Sequence, residues 1–136
     1  MKTSFILCKE ALQAQSLFRS EKSGAEVYFE GIVRSPNKEK EVLFLEFEAY
    51  PELFENEMNR ISQLLNKKYH LNGLVLHHRI GKVFPGECAV FAGVYSTHRS
   101  EAFLACEELM NHLKSTVPIW KKEYNSDGSH WVSSTP

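Results

Sequence analysis

Residues 87–124, ECAVFAGVYSTHRSEAFLACEELMNHLKSTVPIWKKEY, hold the patterns of a strand, a helix and a second strand in one continuous stretch. The run ECAVFAGVYS is typical of a buried strand. From about Arg99 to Ser115 apolar residues recur at helical spacing, and Pro118 ends that helix. The segments IWKKEY, NSDG and HWVS then predict a terminal hairpin. This mixture of hairpins and crossovers favours an α+β fold.

The rest of the chain repeats these patterns. TSFILC, GAEVYFEGIVR, VLFLEFEAY and LVLHHRI predict four more strands, and Gly31 inside the second marks a bulge or a close backbone approach. Helical spacing predicts one helix over residues 9–20 and another that starts at Pro51 and stops at Gly73. We therefore expect one domain, residues 1–136, with a mixed, mainly antiparallel sheet and about three helices.

Composition excludes several classes of protein. The 16 basic and 17 acidic side chains give a net charge of −1, whereas a general nucleic-acid binder is usually clearly basic. No apolar run approaches the roughly 20 residues of a membrane span. Cys8, Cys88 and Cys106 are an odd number without CxxC spacing, which is typical of a reduced, cytoplasmic protein.

The six histidines do not predict a metal site. His77 and His78 are adjacent on a strand, so their side chains point to opposite faces and cannot share one ion. The others lack a ligand spacing such as HxxxH or HExxH, and no GxGxxG, GxxxxGK[ST] or GxSxG motif is present. We expect neither a metal nor a cofactor.

Two positions could bind an anion. Residues 96–100, STHRS, join a strand to a helix start, where backbone N–H groups favour negative charge and where His98 and Arg99 add donors. A cap formed by Ser96 or Thr97 explains the same motif without any ligand. Arg34, which ends the strand EGIVR, is either a second anion contact or an ordinary surface residue.

Three lysines surround an apolar segment near the end of the chain. Lys114 lies in the last helical turn, where a cation is favoured even without a function. On the following strand Lys121 shares a face with Ile119, while Lys122 points the other way. If that shared face is inward, Lys121 is partly desolvated and its pKa is depressed, as in lysines that act as bases or nucleophiles. The residues therefore predict a cationic pocket for an anionic, partly flat ligand.

Several segments together resemble the catalytic (large) subunit of molybdopterin synthase: GIVR, HRIG, PGE, STHRSEAF, LKSTVPIWKKE and the late Trp131. The similarity runs in order from about Gly24 to Trp131. It implies an α/β hammerhead fold and a homodimer within a heterotetramer. Its partner would be a small ubiquitin-like sulfur-carrier subunit that ends in a Gly-Gly thiocarboxylate. Two sulfurs would pass to cyclic pyranopterin monophosphate, giving the molybdopterin dithiolene without a metal or nucleotide.

The resemblance also implies roles for particular residues. Lys114 and Lys121 would be catalytic. Substrate contacts would fall on Ile32, Val33, Arg34, His98, Arg99, Lys114, Lys121, Lys122 and Glu123. The loop Ser35-Pro36-Asn37 departs from the family pattern, which usually has Asn or His after the VR pair. Sulfur should arrive on the partner's tail, because Cys88 and Cys106 fall on apolar faces and a carrier thiol must be exposed.

Two other functions fit part of the sequence. A non-catalytic module that docks a partner's C-terminal tail would keep Arg34 and a groove but would not need both lysines. An RNA-binding domain would use Trp120, Trp131 and the lysines, but the charge balance and the lack of an RNP-type aromatic motif argue against it.

Overall fold

The structure, a computed structural model, describes residues 1–13 and 15–132 and confirms the α+β class. Its elements are β1 (Lys2–Cys8), β2 (Ala25–Ile32), β3 (Val42–Ala49), α1 (Pro51–Tyr69), β4 (Gly73–Arg79), β5 (Gly81–Val83), β6 (Cys88–Ser96), α2 (Arg99–Ser115), β7 (Ile119–Asn125) and β8 (Gly128–Val132). The terminal hairpin is β7 and β8, and Ser133, the last residue predicted for it, lies outside the described residues.

The strands form two four-stranded sheets. The first has the order β1-β4-β6-β2, in which only β1 and β4 run parallel. The second has the order β5-β3-β7-β8 and is antiparallel throughout. The mixed, mainly antiparallel character is thus confirmed, although the strands divide between two sheets. β5, a strand that the sequence patterns did not indicate, pairs with Leu45–Phe47 of β3.

Both helices pack on one face of the first sheet. Buried side chains recur along each helix at spacings of three or four residues, which keeps them on one face. From the helices this core takes Phe54, Met58, Ile61, Leu65, Ala102, Ala105, Cys106 and Leu109, and from the strands Leu74, Leu76, Val90, Ala92 and Val94. Burying a large apolar side chain contributes about 1.5–3 kcal/mol, so this layer holds both helices to the sheet. Neither described helix is long and apolar enough to cross a bilayer.

The helix predicted over residues 9–20 is wrong: the described residues of this segment form turns and irregular structure, and residue 14 lies outside them. Leu12 and Phe18 pack on the face of the first sheet opposite the helices. The backbone N–H of Leu17 donates to the Tyr95 hydroxyl at 3.0 Å. The apolar residues that imitate a helical stripe therefore cover the second face of the sheet.

The end of α1 also differs from the prediction. The helix ends at Tyr69, and His70 follows in the left-handed region with a φ of 54°, its N–H bonded to the Asn66 carbonyl. Gly73, the predicted stop, is instead the first residue of β4. A Cβ there would lie 3.0 Å from side-chain atoms of Phe18 and Tyr95, so this glycine lets both rings approach the strand closely.

A small second core joins the two sheets. We call Val33, Phe47, Val83 and Ala89 the inter-sheet cluster, since two of them come from each sheet or its adjoining loop. All four are buried, and Ile119 packs against them. The cluster fixes the spacing between the sheets next to the cavity described below.

Candidate active site

A cavity of about 420 Å³ lies between the two sheets, beside the last turns of α2. Six of the residues predicted for the site line it: Ile32, Val33, Arg34, Lys114, Lys121 and Glu123. They come from β2 and its following loop, from α2 and from β7. Apolar side chains, among them Phe29, Leu45 and Met110, line the rest. The arrangement suits an anionic ligand with a flat apolar part.

The bulge expected at Gly31 is confirmed and shapes one wall of the cavity. The register between β2 and β6 shifts between Gly31 and Ile32. A Cβ on Gly31 would lie 2.6 Å from Cγ1 of Val90, a contact that only glycine avoids. Beyond the bulge the N–H of Val33 donates to the Glu87 carbonyl at 3.0 Å. The chain therefore leaves the sheet in a fixed position, just before Arg34.

Lys121 lies on the inward face of β7, as the strand alternation predicts. It is only 8% exposed and lies opposite Phe47 of β3. Burial lowers its pKa, and the positive charges of Arg34 and Lys114 lower it further, while Glu123 acts in the opposite direction. Three cations from three separate elements thus interact in one cavity.

Lys122 lies outside the cavity, on the outer face of the same strand. Its Nζ is 5.5 Å from the ring centroid of Tyr124 and 5.4 Å from that of Trp131. These are cation–π contacts at the surface. The two adjacent lysines therefore lie on opposite faces of β7 and in different environments.

Glu123 supplies a buried, ionised group beside the cations. Asn37 donates to its Oε1 at 2.7 Å, and Asn125 donates to its Oε2 at 3.1 Å. Burial alone would raise the pKa of Glu123, but these hydrogen bonds and the nearby His130 and Lys121 lower it overall. Because Asn37 belongs to the loop that departs from the family pattern, that loop still reaches the site.

His98 and Arg99 lie elsewhere. His98 is the N-cap residue of α2, without a side-chain cap, and the Ser96 hydroxyl donates to its carbonyl. Arg99 begins the helix and Lys114 lies in its last turn, so about 22 Å of helix separates them at 1.5 Å per residue. Both residues are exposed, and within one chain they do not reach the cavity.

His78, which no sequence pattern singled out as a site residue, lines the cavity and is 4% exposed. Its Nδ1 is 2.7 Å from the carbonyl oxygen of Arg79, and its ring packs edge-on against Phe47 with centroids 4.9 Å apart. Burial lowers its pKa to about 4, and the charge of Lys121 adds to this effect. The signal was the pair His77-His78, whose opposite faces are confirmed: His77 bonds Ser4 at 2.9 Å.

None of the three cysteines lines the cavity. Cys106 is buried in the helix layer, and burial raises its pKa to about 11. Cys8 and Cys88 are half-buried, and burial is the largest cause that raises their pKa values. Within residues 1–13 and 15–132, no three His, Cys, Asp or Glu side chains are grouped to hold a metal ion.

Comparisons with known proteins agree on one family. Residues 7–116 match the family model described as MoaE protein. The molybdopterin synthase catalytic subunit of Vibrio cholerae is 36% identical over 124 residues, which are 91% of this chain and 83% of that protein. The corresponding subunit of Pseudomonas aeruginosa is 41% identical over 109 residues, which are 80% of this chain and 73% of that protein.

Solved structures show the same fold. The crystal structure of molybdopterin synthase from Staphylococcus aureus has a TM-score of 0.85 at 35% identity, covering 93% of this chain and 94% of that one. A chain from the complex of subunits 1 and 2 of molybdopterin-converting factor from Helicobacter pylori has a TM-score of 0.75 at 20% identity, covering 96% and 89%.

Proposed function

The chain belongs to the MoaE protein family of molybdopterin synthase catalytic subunits, and on that premise we propose that its inter-sheet cavity is where sulfur is transferred. The observation that carries this proposal is the convergence of Arg34, Lys114 and Lys121 on one cavity with a buried anion, Glu123, beside them. Residues 1–136 act as one large-subunit domain, and their three free cysteines suit the reducing cytoplasm.

The substrates follow from the family, and the cations and apolar lining of the cavity suit them. A small ubiquitin-like subunit inserts its C-terminal Gly-Gly thiocarboxylate, and cyclic pyranopterin monophosphate binds beside the tail. Each thiocarboxylate gives up one sulfur and leaves as a carboxylate whose new oxygen comes from water, while on the precursor each new C–S bond replaces a C–O bond. Two tails are therefore consumed for each dithiolene. Negative charge develops on sulfur and oxygen during both transfers, and cations already in place stabilise it.

The position of each residue determines its role in the transfer. Lys114, exposed in the last turn of α2, is mobile enough to reach the reacting carbon and the thiocarboxylate. Lys121, fixed and buried, has a lowered pKa, which suits a residue that donates and accepts protons. Ile32, Val33 and Arg34 form the wall beside the bulge, and Arg34 binds the cyclic phosphate.

His98 and Arg99 enter the site from a second copy of the chain. They lie about 22 Å along α2 from Lys114, too far to meet the same small ligand within one chain. In a homodimer with a two-fold axis, the start of one α2 can complete the cavity at the end of the other. The heterotetramer would then contain two composite sites.

The central experiment mixes the purified protein with thiocarboxylated small subunit and cyclic pyranopterin monophosphate, and measures the dithiolene product. The matched control is a small subunit that ends in an ordinary carboxylate, which should bind and give no product. Tight binding of the tail without product from the thiocarboxylate would favour the docking module instead. Lys122 should tolerate replacement better than Lys121, since it faces away from the cavity.

A subunit-mixing experiment tests the composite site. Arg99→Ala and Lys114→Ala should each be inactive alone. If the two residues come from different chains, a mixed dimer has one doubly altered site and one intact site. Random mixing then restores about a quarter of wild-type activity, since half of the dimers are mixed. No recovery in confirmed mixed dimers would place both residues in sites within one chain.

A further inference from the structure

The imidazole of His78 is held in one tautomer. The carbonyl oxygen of Arg79, 2.7 Å away, can only accept a hydrogen bond, so Nδ1 must carry the proton. With a pKa of about 4 the ring is neutral near pH 7, and Nε2 therefore presents a lone pair. The edge-on contact with Phe47 fixes the plane of the ring. Backbone, charge state and packing together define the position of one acceptor.

This acceptor remains available to a ligand. Among the described residues no donor reaches Nε2. The atom nevertheless keeps some accessible surface. The imidazole itself lines the cavity, so a ligand bound there lies next to the ring.

The charged groups of the cavity do not offer the same chemistry, although the amide oxygens of Asn37 and Asn111, which also line it, are neutral acceptors. Arg34, Lys114 and Lys121 only donate hydrogen bonds. Both carboxylate oxygens of Glu123 already accept bonds from asparagine side chains. Glu107, which also lines the cavity, is solvent-exposed. His78 is therefore a neutral acceptor within a set of cations.

We propose that Nε2 of His78 accepts a hydrogen bond from a neutral N–H group of the bound ligand and so orients it beside Lys121. The donor is an amide-type or amino N–H, which both the pterin ring and the backbone of a Gly-Gly tail possess. This inference rests on the proposed function and adds a specificity-determining contact to it. It gives His78 a binding and positioning role and no part in proton transfer.

Two substitutions separate this role from a structural one. In His78→Gln the side-chain amide can place its oxygen near Nε2 while losing the bond to the Arg79 carbonyl. In His78→Asn the amide nitrogen can keep the bond to Arg79 while no acceptor remains at Nε2. The proposal predicts about fivefold weaker ligand binding for Asn and less than about twofold for Gln. A purely structural role predicts the reverse order.

Two binding measurements identify the donor. In His78→Asn, a higher KM for cyclic pyranopterin monophosphate assigns the N–H to the pterin. A higher Kd of the same variant for the carboxylate form of the small subunit assigns it to the tail. Equal losses of ligand affinity in His78→Asn and His78→Gln, or a greater loss in His78→Gln, would overturn the proposal.

A measurement on the wild-type protein does not depend on either variant folding. The ¹⁵N resonance of the His78 Nε2 should shift on addition of one of the two ligands, because a nitrogen nucleus becomes more shielded when its lone pair accepts a hydrogen bond. An unchanged resonance under saturation by both ligands would also overturn the proposal. If the wild-type protein makes no product, the proposed function fails, yet the resonance still reports whether His78 binds these molecules.

Discussion

Replacing Lys121 by methionine should make the protein more stable and less active. Methionine is similar in length and keeps the apolar contacts of a side chain that is 8% exposed. It removes a charge whose pKa is lowered by burial and by Arg34 and Lys114, which means that the folded state disfavours that charge. The attraction of Glu123 offsets part of this, so we expect a gain of about 1 kcal/mol in the free energy of unfolding. For a domain of this size that is about 3–5 °C in Tm.

The stability difference between Lys121→Met and wild type should depend on pH. Because the folded pKa lies below that of the unfolded chain, the unfolded state binds the Lys121 proton more tightly. Wild-type stability therefore rises with pH between the lowered pKa and about 10.4, the unfolded value. The advantage of Lys121→Met should be largest near neutral pH and should shrink across that alkaline window. Urea denaturation of both proteins at several pH values measures it.

The adjacent lysine provides the matched control. Lys122→Met loses the contacts with Tyr124 and Trp131, each worth about 0.5–1 kcal/mol at an exposed site, so it should be less stable than wild type by about 1–2 kcal/mol. It should also lose much less sulfur-transfer activity than Lys121→Met. A Lys121→Met protein that is less stable than wild type at neutral pH, or that transfers sulfur normally, would refute the reasoning.

Three further predictions concern the site and the bulge. Lys114→Ala should abolish product while Tm and the affinity for the small subunit stay near wild type, because Lys114 is exposed; normal turnover would remove it from the mechanism. Gly31→Ala should cost about 1–3 kcal/mol in urea denaturation, and combining it with Val90→Ala should cost less than the sum of the two, since Cγ1 of Val90 is the clashing atom. Strict additivity of those two changes would show that the close approach is not what destabilises the variant. A variant with Cys8, Cys88 and Cys106 all changed to alanine should still form product from thiocarboxylated partner, and inactivity of that folded protein would point to a persulfide carried on one of its own cysteines.

Local patterns predicted the parts of the site that depend on strand geometry. The alternation of side chains along one strand was enough to separate Lys121 from Lys122. Gly31 predicted a close approach because an inward glycine in a strand leaves room that another backbone or side chain fills. In both cases the information lies within a few residues of the position concerned.

The features that were missed depend on contacts between distant segments. Leu12 and Phe18 look helical in sequence, and only the open face of the first sheet explains their irregular backbone. β5 is three residues long and forms because it pairs with the edge of β3 that β7 leaves unpaired. His78 could be placed on one of two faces from sequence, but which face adjoins a cavity is decided by the packing of the second sheet.

The inter-sheet cluster has a consequence for how this enzyme adapts to temperature. Lys114 belongs to a helix packed on the first sheet and Lys121 belongs to the second, so their separation is set by Val33, Phe47, Val83 and Ala89. Looser packing there broadens the range of distances between the two ammonium groups and slows turnover with both lysines intact. Relatives that work in the cold or the heat are therefore expected to differ at these four apolar positions while the cations stay the same.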